Sequence, residues 1–553
     1  MLPDLVDSPT VVSPSSGAAG TSLGRRVLTQ AVVPAGLYLG FFCLYTWPWM
    51  AHPASRFFTD TGDGYQNVWN MWWVNRAVTV LHQSPWHTDL LHYPYGTTLL
   101  GQTMNPFNGF VGIVLQRFMP LVGAFNTMVV FSYVATGVTG FWLCRHFSRR
   151  YASALVGGFV ITFSSYHLAK TQGLMQLVSL EWLPLFVLLW WRLVTRPTLR
   201  LAVGAAVTLS LVVLCDYYYF LFSLATAVVI AVYLWRIGEF RLGRRHGAIF
   251  SGLSAVVALP LPAALVWSNL NDPMQGGHPS RSTDVLYLLL DGLRWRFSGL
   301  TRWFYGHTTD LGDVTIYLSV TVMAIAIAAV VMRRRAGRHT VFWLGFGAGA
   351  LLLSLGPQLI VYHHDTGVPL PFDLITTLLP PLRYNLEPER LTVLASLAAG
   401  VLVASVLGRL DLARRAHRLI LLATLAGLVV ELWPVPPPSA PTSRPAYVGA
   451  LAHLPAGAVI DDAAVANGQV DKSLQLYDQV LDGHPLAFGY ISRTPGSVAA
   501  ADSRVRSALA GQDWTLLCRA YHFTYITSPA SKPLPGSLHL LYDDGRDLIY
   551  RLC

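Results

Sequence analysis

The sequence predicts a mainly α fold: a polytopic transmembrane helical bundle of about 11 spans, N-terminus in and C-terminus out, carrying a small C-terminal extracytoplasmic α/β domain. Three observations lead there. The 553 residues are 53% hydrophobic and only 12% charged, about half the charged share of an ordinary soluble domain, and a bilayer tolerates ionisable side chains poorly. Eleven apolar segments are long enough, or nearly so, to cross as helices a hydrocarbon core of about 30 Å. Arg-rich connections alternate with Arg-poor ones along that series, which is the pattern that sets orientation in a membrane. The net charge of +10 resides mostly in those connections, so it reads as topology and not as a nucleic-acid surface.

Residues 1–24, with "DSPTVVSPSSGAAGTS", are small, polar and Pro/Ser-rich, and are expected to form a disordered cytoplasmic tail. After Arg25 and Arg26 the apolar segments lie near 28–50, 121–144, 152–167, 177–194, 199–215, 217–236, 247–267, 314–332, 340–361, 390–408 and 418–435. They define a transmembrane domain over 25–436. The first run is too long and too far in for a cleavable signal peptide and is expected to act as a signal anchor. With the N-terminus inside, the inside loops are "CRHFSRR", "RLVTRPTLR", "RIGEFRLGRRHG", "RRRAGRH" and "GRLDLARRAHR", all Arg-rich. Three long loops then face outward: 51–120, 268–313 and 362–389.

Two of these loops carry aromatic and apolar residues at helical spacing. Tyr65, Trp69, Trp72 and Arg76 recur in "YQNVWNMWWVNRAV", and Leu289, Leu293, Arg296 and Trp303 in "DVLYLLLDGLRWRFSGLTRW". Both segments are expected to lie on the membrane surface as interfacial helices. "WPVPPPSAPTSRP" is a stiff polyproline-like linker, placed at 437–445. Beyond it, 446–553 reads as the α/β domain: "GAVID" and "HFTYIT" as strands, "SRVRSALAGQDWTLLCRAY" as a helix, and "LHLLYDDGRDLIYRL" as a hairpin turning at Asp544-Gly545. The five cysteines show no metal spacing. Cys518 and Cys553, the two in this domain, either pair or remain free thiols.

The residues suited to chemistry begin in "FFTDTGDGYQNVWNMWW", residues 57–73. Asp60 and Asp63 follow closely on the first span. A carboxylate there suits a general base that deprotonates an acceptor hydroxyl, and partial burial raises its pKa toward a working range. Asp63 also reads as the N-cap of the following helix. Asp60 has no such role in the sequence and is the first choice of base. His92, Gln102 and Asn105 share the first loop, beside Tyr95. His167, Lys170, Gln172, Gln176 and Glu181 occupy the outer end of spans three and four, with Glu181 just inside the apolar run "SLEWLPLFVLLWW". An acid at that depth is a candidate substrate contact. Asp216 stands at the same level, beside three tyrosines that an aromatic belt explains.

Arg383 and Arg390 bracket Glu387 and Glu389 in "PPLRYNLEPERL". Outer arginines run against the topological bias. They either bind a phosphate or pyrophosphate, for which the guanidinium fork is suited, or pair locally with Glu387 or Glu389. Lys170, Arg281 and His307 are weaker candidates for the same anion. His278, His363 and His364 give no metal spacing. No cofactor is assigned; a divalent cation at "YHHD" is the alternative to simple loop solvation.

The segments "DTGDGYQNVWNMWW", "YHLAKTQGLMQLVSLEWLPL", "LSLGP", "LRYNLEPERL" and "YDQVLDGHPLAFGYISRTP" resemble the GT-C superfamily of integral-membrane glycosyltransferases, akin to YfhO-type bacterial multipass proteins, over about residues 28–495. The resemblance implies transfer of a hexosyl or pentosyl group from a polyprenyl-phosphate-linked sugar donor to an envelope glycan or lipid acceptor. It also implies membrane lipids as partners, no nucleic acid, and a bacterial plasma membrane as the location. An acidic residue of the first outer loop would be the base, and Asp60 and Asp63 match it. They form a spaced Asp-x-x-Asp and not the adjacent acidic pair of some members, which leaves open which one acts. Two other classes stay in view. A transporter or flippase of lipid-linked sugars predicts mid-span charge pairs and discontinuous helices at matching positions, for which the sequence gives no sign. A non-catalytic envelope-assembly protein would use its outer domain to bind envelope components.

Overall fold

The computed structural model describes residues 19–148, 150–276, 279–292, 294–305, 316–331, 338–379, 387–462 and 472–553. Each of the eleven apolar segments contains helix among its described residues, but 340–361 is helical only as far as Ser354 and ends in the strand Gln358–Val361. Among the described residues, six helices are long and apolar enough to cross a membrane: Leu23–Tyr45, Leu121–Phe147, Tyr151–Lys170, Met175–Thr195, Tyr217–Arg236 and Pro388–Leu407. The chain is a multi-pass membrane protein. Leu199–Cys215, Val320–Val331, Arg338–Ser354 and Arg415–Glu431 are shorter helices. Arg244–Val257 and Pro260–Asn271 together form one apolar stretch bent by 50°, with the break at Pro260, whose ring cannot continue the helical hydrogen bonds.

Thr392–Leu407 is buried at every residue and packs on Tyr151–Thr162 and Arg338–Ser354. Small residues permit that packing. A Cβ at Gly157 would lie 2.4 Å from the Gly400 carbonyl oxygen, and one at Gly400 2.5 Å from that of Gly157. The two backbones therefore cross in near contact, as small residues allow between membrane helices. The Met175–Thr195 span is interrupted: Met175–Val178 and Trp182–Thr195 are helical, and Ser179–Leu180–Glu181 leave the helix between them.

The aromatic segment of the first loop is a helix, Asp63–Thr79, but it does not lie on a membrane surface. Tyr65, Trp69 and Trp73, spaced four residues apart, are fully buried. Tyr65 stacks on Tyr477 with ring centroids 4.5 Å apart and donates its hydroxyl to the Pro441 carbonyl at 2.6 Å. Trp69 Nε1 donates to Gln479 Oε1 at 2.7 Å. The stripe that reads as a lipid-facing belt is instead covered by the helix Lys472–Asp482. Aromatic spacing alone does not distinguish lipid from a protein neighbour. Trp72 and Arg76 keep partial exposure, with the guanidinium 5.2 Å from the indole centroid. The second expected interfacial helix is also corrected. Its described residues form two short 3-10 turns, Val285–Leu288 and Ser298–Leu300, and the single turn Arg302–Tyr305, while Leu293 lies outside the described residues.

The C-terminal region holds a four-stranded sheet in the order His539–Asp543, Asp547–Arg551, Phe523–Pro529, Ala458–Asp461. The last pair is parallel, and the others are antiparallel. The hairpin turns at Asp544-Gly545 as its sequence predicts: Gly545 takes φ +79°, and Asp544 Oδ1 accepts from the amides of Arg546 and Asp547. The expected single helix after residue 500 is two, Gly496–Ala510 and Trp514–Arg519, separated at Gly511–Asp513. Cys518 and Cys553 are disulfide-bonded. Short strand pairs stitch this region to the membrane loops: Arg56–Phe57 with Ala440–Pro441, and Met274–Gln275 with Thr494–Pro495.

Candidate active site

Asp60 sits in the turn that leads into the Asp63–Thr79 helix. Its Oδ1 accepts the amide hydrogens of Gly62 at 3.1 Å and Gly64 at 2.8 Å. Gly62 holds the N-cap position with no side-chain cap, so the expected capping role of Asp63 is not realised. The reason is local geometry: Asp60 reaches forward across Gly62, an Asx-type closure, and supplies an oxygen to the second residue of the helix. Asp63 occupies the first helical turn, where the positive end of the helix favours a carboxylate. Gly64 has to be glycine here, because a Cβ would lie 2.4 Å from Thr59 Oγ1 and 2.8 Å from Asp60 Oδ1.

Asp60 is half-buried, and burial pushes its carboxyl up to about 6; the amides of Gly64 and Gly62 and the Arg294 charge oppose that rise, and the Asp63 charge adds to it. The turn after the Tyr151–Lys170 span closes over it. A Cβ on Gly173 would stand 2.9 Å and 3.0 Å from the two Asp60 oxygens. Asn67 Nδ2 donates to the Gly173 carbonyl at 2.8 Å, fixing that turn to the helix of the first loop. Thr171 and Gln172, the residues just before Gly173, line a small cavity, no larger than a water or two, with Thr46, Trp49 and Arg294.

Arg294 lines a second small cavity as well, together with Ser165, Asp291 and Trp433. The two cavities share Leu168, Arg294 and Pro434 and so meet at the guanidinium. Arg294 Nη1 donates to the Ala169 carbonyl at 2.6 Å. Asp291 is buried, accepts the Gly292 amide at 2.8 Å, and is pushed up to about 7, mainly by burial. An arginine that is a charge neighbour of Asp60 and lines a small cavity with Asp291, among tryptophan, leucine and proline, places a cation suited to a phosphate near a proton acceptor. Sequence reasoning passed over Asp291, Arg294 and Gly173. The signal for Arg294 was present: it is an arginine in an expected outer loop, as Arg383 and Arg390 are.

On the other side of the Ser165–Lys170 helix, Lys170 Nζ pairs with Glu389 at 3.2 Å, both groups buried. The Arg390 guanidinium packs 4.4 Å from the Tyr218 ring, with Glu389 and Asp216 as charge neighbours. Burial raises Glu387 above the usual carboxylate range, with Glu389, Arg390, Lys170 and Arg281 around it. This gathers Lys170, Asp216, Arg281, Glu387, Glu389 and Arg390, all singled out in the sequence, into one charged cluster. Arg383, His278 and His307 lie outside the described residues.

Of the remaining candidates, all but Gln176 and Glu181 have structural partners. Asp216 is the N-cap of Tyr217–Arg236, its Oδ1 accepting from Tyr218 and Tyr219 amides at 2.7 Å and 3.1 Å. His167 directs its two ring nitrogens at the carbonyls of Thr162 and Val178, at 2.7 Å and 2.9 Å, and stacks on Tyr133. His92 is buried with Nδ1 3.0 Å from Asp502 of the C-terminal region. Gln102 joins Gln66, Asn70 and Ser492. Asn105 caps the Pro106–Leu115 helix and donates to Ser179 Oγ at 2.8 Å. Gln176 and Glu181 are buried, and their side-chain polar atoms have no hydrogen-bond partner. Among the described residues, no three His, Cys, Asp or Glu side chains converge as metal ligands.

No protein family and no curated protein sequence matches the chain. Among solved structures it is similar in fold to the arabinofuranosyltransferase AftD from Mycobacteria, with 15% identity, a TM-score of 0.53, and coverage of 95% of this chain. The chain spans about two fifths of AftD, 40% of its length. ArnT from Cupriavidus metallidurans aligns at 13% identity over 96% of this chain and 98% of its own, with a TM-score of 0.43. The oligosaccharyltransferase AglB from Archaeoglobus fulgidus aligns at 11% identity over 92% of this chain and 70% of its own, also at 0.43. At such identities the likeness is one of fold, carried by AftD.

Proposed function

We propose that this chain, whose fold is that of the GT-C membrane glycosyltransferases, moves a sugar from a polyprenyl-phosphate-linked donor to a cell-envelope acceptor at the outer face of a bacterial plasma membrane. One observation carries the reading: a half-buried carboxylate, Asp60, held by two backbone amides near an arginine that joins two cavities. In the proposed reaction Asp60 takes the proton of an acceptor hydroxyl as its oxygen attacks the anomeric carbon. The bond from that carbon to the phosphate oxygen breaks, the configuration inverts, and the polyprenyl phosphate leaves against Arg294. The Asp63 charge beside Asp60 raises the Asp60 pKa and so makes the ionised Asp60 a stronger proton acceptor. Arg390 and Arg383 are assigned to the donor side with Lys170, and Gln176 and Glu181 border it.

The topology proposed with this function has eleven spans, the N-terminus inside and residues 446–553 outside. Helix within each apolar segment supports it, six of the described helices being long and apolar enough to cross, as does the Cys518–Cys553 disulfide, a bond of oxidising compartments. The test is substitution of Asp60→Asn and Asp63→Asn, singly and together, read in the envelope glycans of a strain lacking the native protein. Loss of the glycan change with Asp60→Asn supports the assignment; full complementation by the double variant ends it. A flippase is the second reading, favoured by the interrupted Met175–Thr195 span and the 50° bend at Pro260. Movement of lipid-linked sugar without covalent transfer would support it.

A further inference from the structure

Glu181 borders the proposed donor side but takes no step in the reaction. Glu181 has no exposed surface, and neither carboxylate oxygen has a hydrogen-bond partner. A native structure seldom leaves such a group unsatisfied, and an ion or water is the usual explanation. The surroundings narrow the choice. Glu181 stands at the break in the Met175–Thr195 span, immediately before the Trp182–Thr195 helix. The positive end of that helix favours the ionised carboxylate. No basic side chain is among its electrostatic neighbours; the nearby groups are Ser132 and Cys215. Arg390, the buried arginine of this region, neighbours Asp216.

The other polar atoms of the region supply oxygen. Ser132 Oγ lies alongside Glu181 and is itself unpartnered. Ser179, in the break, receives hydrogen bonds from Asn105 Nδ2 and Asn108 Nδ2, which leaves Asn108 Oδ1 buried and unpartnered. Ser179 also donates its hydroxyl to the Met175 carbonyl and is fully committed, so a carboxylate, the Ser132 hydroxyl and an amide oxygen remain as hard donors, the type that binds cations of the first groups. One carboxylate neutralises one charge; a divalent ion would leave a net positive charge buried at membrane depth. Interrupted membrane helices are a recurrent setting for such ions, because unwound backbone adds carbonyl oxygens.

We propose that Glu181, with Ser132 and Asn108, binds a single Na⁺ inside the helical bundle at the break in the Met175–Thr195 span. The ion satisfies the carboxylate and fixes the interruption that carries Gln176 and the Met175 turn toward the site. The inference stands apart from sugar transfer and does not need it.

The test is equilibrium binding of ²²Na⁺ to the purified full chain in nanodiscs, in choline chloride, with K⁺ as competitor. One Na⁺ per chain, lost in Glu181→Gln and weakened about tenfold in Ser132→Ala, is the expected result. Thermal unfolding reports the same event: Na⁺ raises the melting temperature of the wild type with concentration and leaves Glu181→Gln unmoved. Absence of bound Na⁺ in the wild type overturns the proposal, whatever the variants do. So does binding that Glu181→Gln retains in full.

Discussion

Replacing Asp60 by Asn separates chemistry from folding more cleanly than any other single change. Asn keeps an oxygen that can accept the Gly62 and Gly64 amides, at 3.1 Å and 2.8 Å in the native turn, and removes the charge. The Asp60 carboxyl is raised from 3.8 to about 6. As a base it works only when ionised, so roughly a tenth of the sites are competent at pH 5 and about nine tenths at pH 7. The transfer rate of the wild type should therefore climb about tenfold over that interval, with a limb near 6. Asp60→Asn should lose about 10²- to 10⁴-fold in rate and lose the limb as well. Stability runs the other way. The folded state holds the Asp60 proton more tightly than the unfolded chain does. That contribution is complete below 3.8 and is lost as pH rises through about 6. At pH 8 the ionised carboxylate costs the native state up to about 3 kcal/mol, a shift of about two pH units at 1.36 kcal/mol each. Asp60→Asn should then melt at or above the wild-type temperature at pH 8, and the difference should vanish near pH 3. Rates from pH 4.5 to 8 and melting curves in the same buffers make the assay. An inactive variant that is also less stable at pH 8, or a wild-type rate flat from pH 5 to 7, would refute the reasoning.

Other changes probe the walls of the site. Gly173→Ala puts a Cβ 2.9–3.2 Å from the Asp60 carboxyl group; moving that carboxylate by a few tenths of an ångström costs about 1–3 kcal/mol of stability, and the pH limb should shift with the rate. Lys170→Met leaves Glu389 buried without its partner at 3.2 Å and should destabilise by about 3–5 kcal/mol, whereas the double change with Glu389→Leu recovers most of the melting temperature. Tyr477→Ala removes the stack on Tyr65 and should lower both stability and rate, by about 2–4 kcal/mol for the former, with limited proteolysis cutting first in residues 446–553. Reducing Cys518–Cys553, which closes a loop of 35 residues, should cost the C-terminal region about 3–4 kcal/mol, read as its earlier unfolding in a melting scan with dithiothreitol.

Much of the architecture was legible because it depends on average properties. Apolar runs located the helices, and Asp544-Gly545 located the hairpin, because only a left-handed residue closes that turn. What failed were readings that depend on the identity of a neighbour. Tyr65, Trp69, Trp72 and Arg76 have the spacing of a lipid-facing stripe, yet Tyr477 and Gln479, more than 400 residues away, cover Tyr65 and Trp69. Asp63 carries an N-cap pattern, and Asp60 makes the hydrogen bonds. Asp216 looked unexplained and is a plain N-cap. Within the candidate site, Asp60 stood out as an acid in apolar company, while Arg294 and Asp291 were hidden in a segment whose periodicity suggested a helix. Only the packing of that segment against Leu168 and Pro434 brings them to the cleft.

The central claim is covalent transfer from a lipid-linked donor, and one measurement addresses it directly. Purified chain in liposomes would be given radiolabelled polyprenyl-phosphate-linked hexoses and pentoses with extracted envelope glycan outside. The organic-phase and glycan-bound label would then be counted for wild type and Asp60→Asn. The prediction is label moving into the glycan with wild type, stoichiometric polyprenyl phosphate left behind, and neither with Asp60→Asn. Label that stays lipid-linked while crossing the bilayer, or transfer that persists undiminished in Asp60→Asn, would contradict it.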